Sequence, residues 1–223
     1  MNQFMKKTSL VVLILSLFAS MAVQAGDAEY KPELFRKTRL VYSDDFNGKL
    51  DRKYWEVRQS STWVVEDGLL KGSQSSKEFQ AKKIAQGDKA HAGFKPVIWL
   101  KELPENFVCT MRMRYDAKDY HPKFPLLDLG HHIHTLTFAR EATTLTIKRD
   151  VEKVKVEAPL LPLNQWVDVA LELKKGDLVV SIDGKKHHFQ SSNIDPTGHH
   201  QIDFKGVDFG TCQIDHIRIW EGL

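Results

Sequence analysis

Hydrophobic and polar residues alternate along most of this chain, with a period of two. From Glu105 to Tyr115, the residues Phe107, Cys109, Met111, Met113 and Tyr115 fall on one side and Val108, Thr110, Arg112 and Arg114 on the other. That is the signature of a strand with one face on a core. The same alternation over Gln165–Leu173, Leu178–Ile182 and Lys186–Phe189, broken at Gly176-Asp177 and Asp183-Gly184, predicts a three-strand meander. A shorter hairpin is expected across Thr62–Gly72, where Asp67-Gly68 supplies the turn. Further extended pieces are expected at Leu40–Tyr42, Tyr54–Val57, Val97–Leu100, Leu126–Gly130, His131–Phe138, Thr143–Lys148, Val151–Val156, His200–Phe204 and Thr211–Trp220. In the last of these, Ile214, Ile217 and Ile219 fall out of step, which predicts a bulge near Asp215.

No long segment repeats apolar residues at helical spacing, so the pattern predicts an all-β, antiparallel two-sheet sandwich of the jelly-roll type. Ser73–Pro96 has no strand pattern. It is rich in lysine, reading either as a solvated surface or as a collar for an acidic glycan.

The first 25 residues stand apart. Lys6 and Lys7 precede the apolar run Ser9–Met21, and Val23-Gln24-Ala25 suits cleavage before Gly26. An apolar core this short predicts an export signal rather than a membrane anchor, leaving residues 26–223 as one domain and no membrane span after cleavage. The expected location is secreted or periplasmic. Removing the two lysines leaves 30 basic against 29 acidic side chains, a balance that argues against nucleic acid as the partner. In an oxidising compartment Cys109 and Cys212 either pair or sit as buried thiols.

Four stretches line up in order: Ser43–Phe46 with Tyr54-Trp55; Trp63–Gly72; Trp166–Val169 running to Val180–Gly184; and Cys212–Trp220. In this arrangement the chain resembles the concanavalin A-like lectin/glucanase jelly roll. Within that group it resembles the secreted 3-keto-disaccharide hydrolase domain family. The resemblance implies an oligo- or polysaccharide partner and cleavage of a glycosidic bond, or glycan binding without catalysis.

Glucanases of this fold carry Glu-x-Asp-x-x-Glu on one strand; the nearest acidic pair with that look is Asp150-Val151-Glu152, set among lysines. The ten histidines are the other candidates. On an unbroken strand His132 and His134 share a face, where they serve as catalytic groups with Arg112, line a polar groove, or hold a divalent metal. Asp128 and His121 are placed to complete such a ligand set or, with Arg114, to bind substrate. A keto sugar has an acidified proton beside its carbonyl, which a histidine base or a metal can exploit.

Overall fold

A computed structural model describes residues 30–198 and 200–223; the expected export signal lies outside them. The strands are, in chain order, β1 (Thr38–Asp44), β2 (Trp55–Val57), β3 (Thr62–Glu66), β4 (Leu69–Ser73), β5 (Val97–Lys101), β6 (Phe107–Asp116), β7 (Leu126–Leu129) and β8 (His134–Phe138). There follow β9 (Thr143–Ile147), β10 (Glu152–Val156), β11 (Val167–Lys174), β12 (Asp177–Ile182), β13 (Lys185–Gln190), β14 (Gln201–Lys205) and β15 (Thr211–Gly222). They form two antiparallel sheets. An eight-stranded sheet runs β13-β12-β11-β6-β15-β4-β3, with β1 also paired to β15. A seven-stranded sheet runs β10-β9-β8-β7-β14-β5-β2.

The core lies between the sheets and is built by the alternation. Met111, Met113 and Tyr115 of β6 meet Leu127 and Leu129 of β7 and Ile202 and Phe204 of β14 in one buried cluster. The expected meander is present as β11–β13, and the expected bulge interrupts β15 between Asp215 and Arg218. In the β3–β4 turn Asp67 and Gly68 both take positive φ, 55° and 73°, the twist that closes a two-residue hairpin. Just beyond it Gly72 admits the Trp63 ring: a Cβ there would sit 2.5 Å from the indole.

One feature differs from the sequence expectation. A helix, α1 (Lys77–Ala85), follows β4, capped by the Ser76 side chain and continued by a single 3-10 turn at Lys89–His91. None of its residues is buried, which is why no apolar periodicity announces it. The two cysteines do not pair: both are free and buried. Cys212 is opposite Tyr115 and Cys109 opposite Ile219, six residues apart along β6 and hence about 20 Å.

Candidate functional site

The outer face of the seven-stranded sheet is set by strands whose inner residues fill the core. In β5, Ile98 and Leu100 point inward, leaving Val97, Trp99 and Lys101 outside; in β14, Ile202 and Phe204 leave Gln201, Asp203 and Lys205 outside. In β7, Leu127 and Leu129 leave Leu126 and Asp128 outside. Register then makes one row across the sheet: Glu56, Trp99, Asp203, Asp128 and Thr135 are successive partners. Along one side rises the α1 segment, and between them lies a pocket of ≈ 550 Å³. Arg58, Lys95, Trp99, His131, His132 and Lys205 are among its lining residues.

Asp128 and Asp203 are both 0% exposed although they sit on an outer face. Burying two carboxylates side by side is costly unless each is hydrogen-bonded and compensated by positive charge. Lys205 supplies the charge, its Nζ 2.6 Å from Asp128 Oδ2 and 3.4 Å from Asp203 Oδ2. The Thr135 hydroxyl donates to Asp128 Oδ1, and Gln201 Nε2 donates to Asp203 Oδ1 at 2.6 Å. The remaining cover is two imidazoles. His131 Nδ1 is 2.9 Å from Asp203 Oδ2, and His132 Nδ1 is 3.0 Å from Asp128 Oδ2.

The imidazoles reach these positions through an unusual turn. Gly130, His131 and His132 all have positive φ, at 75°, 47° and 70°. Glycine takes this conformation freely, whereas the two histidines hold it at a cost on the order of 1 kcal/mol each, the kind of strain that gathers at functional sites. The strand therefore stops at Leu129, and both rings fold back over β7 and β14, their centroids 4.5 Å apart. The Asp203 hydrogen bond favours Nδ1–H as the donor in His131, leaving Nε2 of that ring as the acceptor when it is neutral, whereas His132 meets Asp128 at ion-pair distance. Partial burial, helped by the nearby Lys205 charge and opposed by Asp128, holds the His132 pKa below its ordinary value.

Beside this cluster, Trp99 stands edge-on to His131, with ring centroids 4.9 Å apart. The Arg58 guanidinium carbon lies 3.9 Å from the Trp99 ring centre, and Arg58 Nη1 donates to Glu56 Oε1 at 2.5 Å.

Of the residues singled out in the sequence, the structure brings together only His132 and Asp128. His134 opens β8 on the inner face with Leu136 and Phe138, so it does not share a face with His132, as an unbroken strand would require. Its Nδ1 accepts from the Lys148 backbone N–H and its Nε2 lies against the Asp195 backbone, within 3.4 Å of the carbonyl oxygen, and burial lowers its pKa. Arg112 and Arg114 lie on the outer face of the other sheet. There Arg112 packs 5.1 Å from Trp166, and Arg114 donates to Asp116. His121 is exposed in the β6–β7 connection, where its Nδ1 accepts from the Lys123 N–H. The candidate metal set of His132, His134, Asp128 and His121 is therefore dispersed, and the described residues contain no group of three or more His, Cys, Asp or Glu placed to hold a metal ion.

Asp203, Lys205 and Arg58 were not singled out, whereas His131 stood among the candidate histidines. The signal for the first two was present: Gln201-Ile202-Asp203-Phe204-Lys205 alternates strictly, with an acid and a base on the polar side. Asp150 and Glu152 lie away from the pocket, with Glu152 held by Ser191 and Asn193.

No protein-family description matches the sequence, and no curated protein is significantly similar to it. The fold has solved counterparts. A non-specific endo-β-1,3(4)-glucanase of family GH16 superposes with a TM-score of 0.56 at 15% identity, covering 86% of this chain and 95% of that one. The Bacillus licheniformis β-glucanase gives 0.56 at 9% identity, covering 83% and 99%. An endo-β-galactosidase from Clostridium perfringens that releases GlcNAcα1-4Gal gives 0.60 at 11% identity, covering 87% and 65%. The architecture is the concanavalin A-like jelly roll of these glycanases.

Proposed function

We propose that the outer face of the seven-stranded sheet is the active site of a carbohydrate-active enzyme. It breaks a glycosidic bond by proton transfer between two histidines, and a 3-keto sugar is the substrate that suits this chemistry. One observation carries the reading: two His–Asp contacts, side by side on the pocket floor, around one lysine. Double displacement at a sugar needs two available carboxylates about 5 Å apart. Asp128 and Asp203 are sealed and fully engaged, so they orient bases rather than attack carbon.

In a 3-keto glycoside the C2 hydrogen lies beside the carbonyl. His132 Nε2 accepts that proton, the C2 electron pair forms the C1–C2 double bond, and the C1–O bond breaks. His131, entering the step as the imidazolium paired with Asp203, gives its Nε2 proton to the leaving oxygen. One C–H and one C–O bond are exchanged for a C=C and an O–H bond, with no oxidant needed. Water then adds at C1 to give the free keto sugar.

The test is release of 4-nitrophenol from 4-nitrophenyl 3-keto-β-D-glucopyranoside. Wild-type protein is expected to release it, and His132→Gln to do so at least about 100-fold more slowly. Wild-type rates in the His131→Ala/His132→Ala double variant would overturn the assignment.

The second reading, a glycan-binding module, is favoured by the Trp99 platform, which needs neither histidine. Saturable oligosaccharide binding with no release of nitrophenol would select it. Export completes the proposal, and mass spectrometry of the secreted protein should find Gly26 at its N-terminus.

A further inference from the structure

The geometry points to a neutral-sugar subsite on the Trp99 ring that Arg58 closes as a latch; it rests on the glycan reading of the pocket and names the substrate class. An indole at the edge of a glycan site is useful through its open face, on which the apolar side of a pyranose stacks. Here that face is covered by the Arg58 guanidinium. The arrangement leaves polar groups unpaired. Trp99 Nε1 and Gln59 Oε1, both from pocket-lining residues, are sealed from solvent with no hydrogen-bond partner among the described residues. Buried polar atoms without partners are costly and uncommon, so two in one pocket wall call for an explanation.

The latch is built to move at its side chain. Its backbone is pinned: Arg58 N donates to Val97 O, and the Ser61 hydroxyl reaches both the Arg58 and Val97 carbonyls. Gln59 and Ser60 hold positive φ, 52° and 48°, in the tight bend between those anchors. The Arg58 side chain, by contrast, is 42% exposed and, among the described residues, tied only to Glu56 and the indole. When it swings aside, a sugar ring can take its place on Trp99. Hydroxyl groups, which donate and accept, can then satisfy both the indole N–H and the amide oxygen.

The same features select a neutral sugar over an acidic one. A carboxylate or sulfate placed at Gln59 Oε1 has no proton to give it, whereas a hydroxyl does. Nor is there spare positive charge to hold it. Every lysine and arginine lining the pocket already faces a carboxylate: Arg58 with Glu56, Lys83 with Asp88 at 2.9 Å, Lys95 with Asp208 at 3.1 Å, and Lys205 with Asp128. Of the lysine-rich segment after β4, only Lys83 and Lys95 line the pocket, and both are paired with carboxylates.

The experiment is calorimetric titration with cellotetraose, laminaritetraose and tetragalacturonic acid, on wild type, Arg58→Ala and Trp99→Ala. At least one neutral tetrasaccharide should bind, and Trp99→Ala should abolish that binding. Arg58→Ala should tighten it roughly threefold to fivefold, the fold-change that corresponds to a lost exposed cation–π contact. Weaker binding in Arg58→Ala, tetragalacturonate binding better than both neutral probes, or no neutral binding at all would overturn the proposal. Repeating the titration in His132→Gln separates it from the reaction. Neutral binding retained there, alongside a wild type inert toward the keto-glucoside, keeps the subsite and removes the chemistry. Turnover whose KM ignores Arg58→Ala keeps the chemistry and removes the latch.

Discussion

Each sheet buries carboxylate on its outer face, and the two faces differ in what covers it. On the eight-stranded sheet Glu172 is 0% exposed. It accepts from Tyr30 Oη at 2.6 Å and from the backbone N–H groups of Glu33 and Leu34 at 3.0 and 2.8 Å. That lid is mostly main chain, and it has no proton to trade at neutral pH. Burial and the Glu172 hydrogen bond drive the Tyr30 phenol far above its ordinary pKa. On the seven-stranded sheet Asp128 and Asp203 lie under half-exposed imidazoles and an ammonium group. A carboxylate covered by amides fastens a segment down. Covered by titratable rings facing a pocket, the same group is proposed to aim a base.

The contrast is sharpest in rate. His132→Gln should cost at least about 100-fold in nitrophenol release, whereas Glu172→Gln should leave that rate unchanged. Equal losses from both variants would erase the distinction. Stability should respond in the opposite sense. Glu172→Ala leaves a phenol and two amides without their acceptor and should destabilise the fold by about 2–3 kcal/mol in urea titration. His132→Gln, at a half-exposed side chain, should stay within about 0.5 kcal/mol of wild type. Removed from both faces, Gly72→Ala drives a methyl into Trp63 and should cost about 1–3 kcal/mol with activity retained.

The smallest effect is in pH. The folded pKa of His134 is lowered by burial, so the unfolded chain takes up its proton first as pH falls. Its stabilising contribution is complete above about 6.5 and is lost as pH drops from there toward the folded value. The resulting slope cannot exceed about 1.4 kcal/mol per pH unit, and His134→Asn should flatten it in denaturation measured between pH 8 and 5. His132 is shifted the same way, so turnover should fall on the acid side with a midpoint below the ordinary histidine value.

The fold was legible because its determinants are local. Alternation in β6 and β11 and the Asp-Gly turns at Asp67-Gly68 and Asp183-Gly184 state strands and reversals directly. The site was only partly legible because its determinants are not. Asp128 and Asp203 become neighbours only when β7 pairs with β14, a long-range register that neither strand announces. The period-two rule put His132 and His134 on one face. It failed at Gly130-His131-His132, where the left-handed backbone resets the alternation before β8. Arg112 has the strand pattern of a groove residue, but sheet order put its face on the other side of the sandwich from the pocket. The α1 wall escaped notice because a helix that buries nothing leaves no apolar stripe.

The two thiols have a use beyond packing. Cys109 and Cys212 are wholly enclosed, and burial raises the pKa of each well above that of a free cysteine. They are too far apart to crosslink within the fold, so oxidants have no bond to form there and reductants none to break. The native protein should melt at the same temperature with or without dithiothreitol. An alkylating reagent should reach either sulfur only when the sandwich opens. The chain thereby carries its own clock, and the slow modification of two cysteines reads the frequency of global opening without any added label.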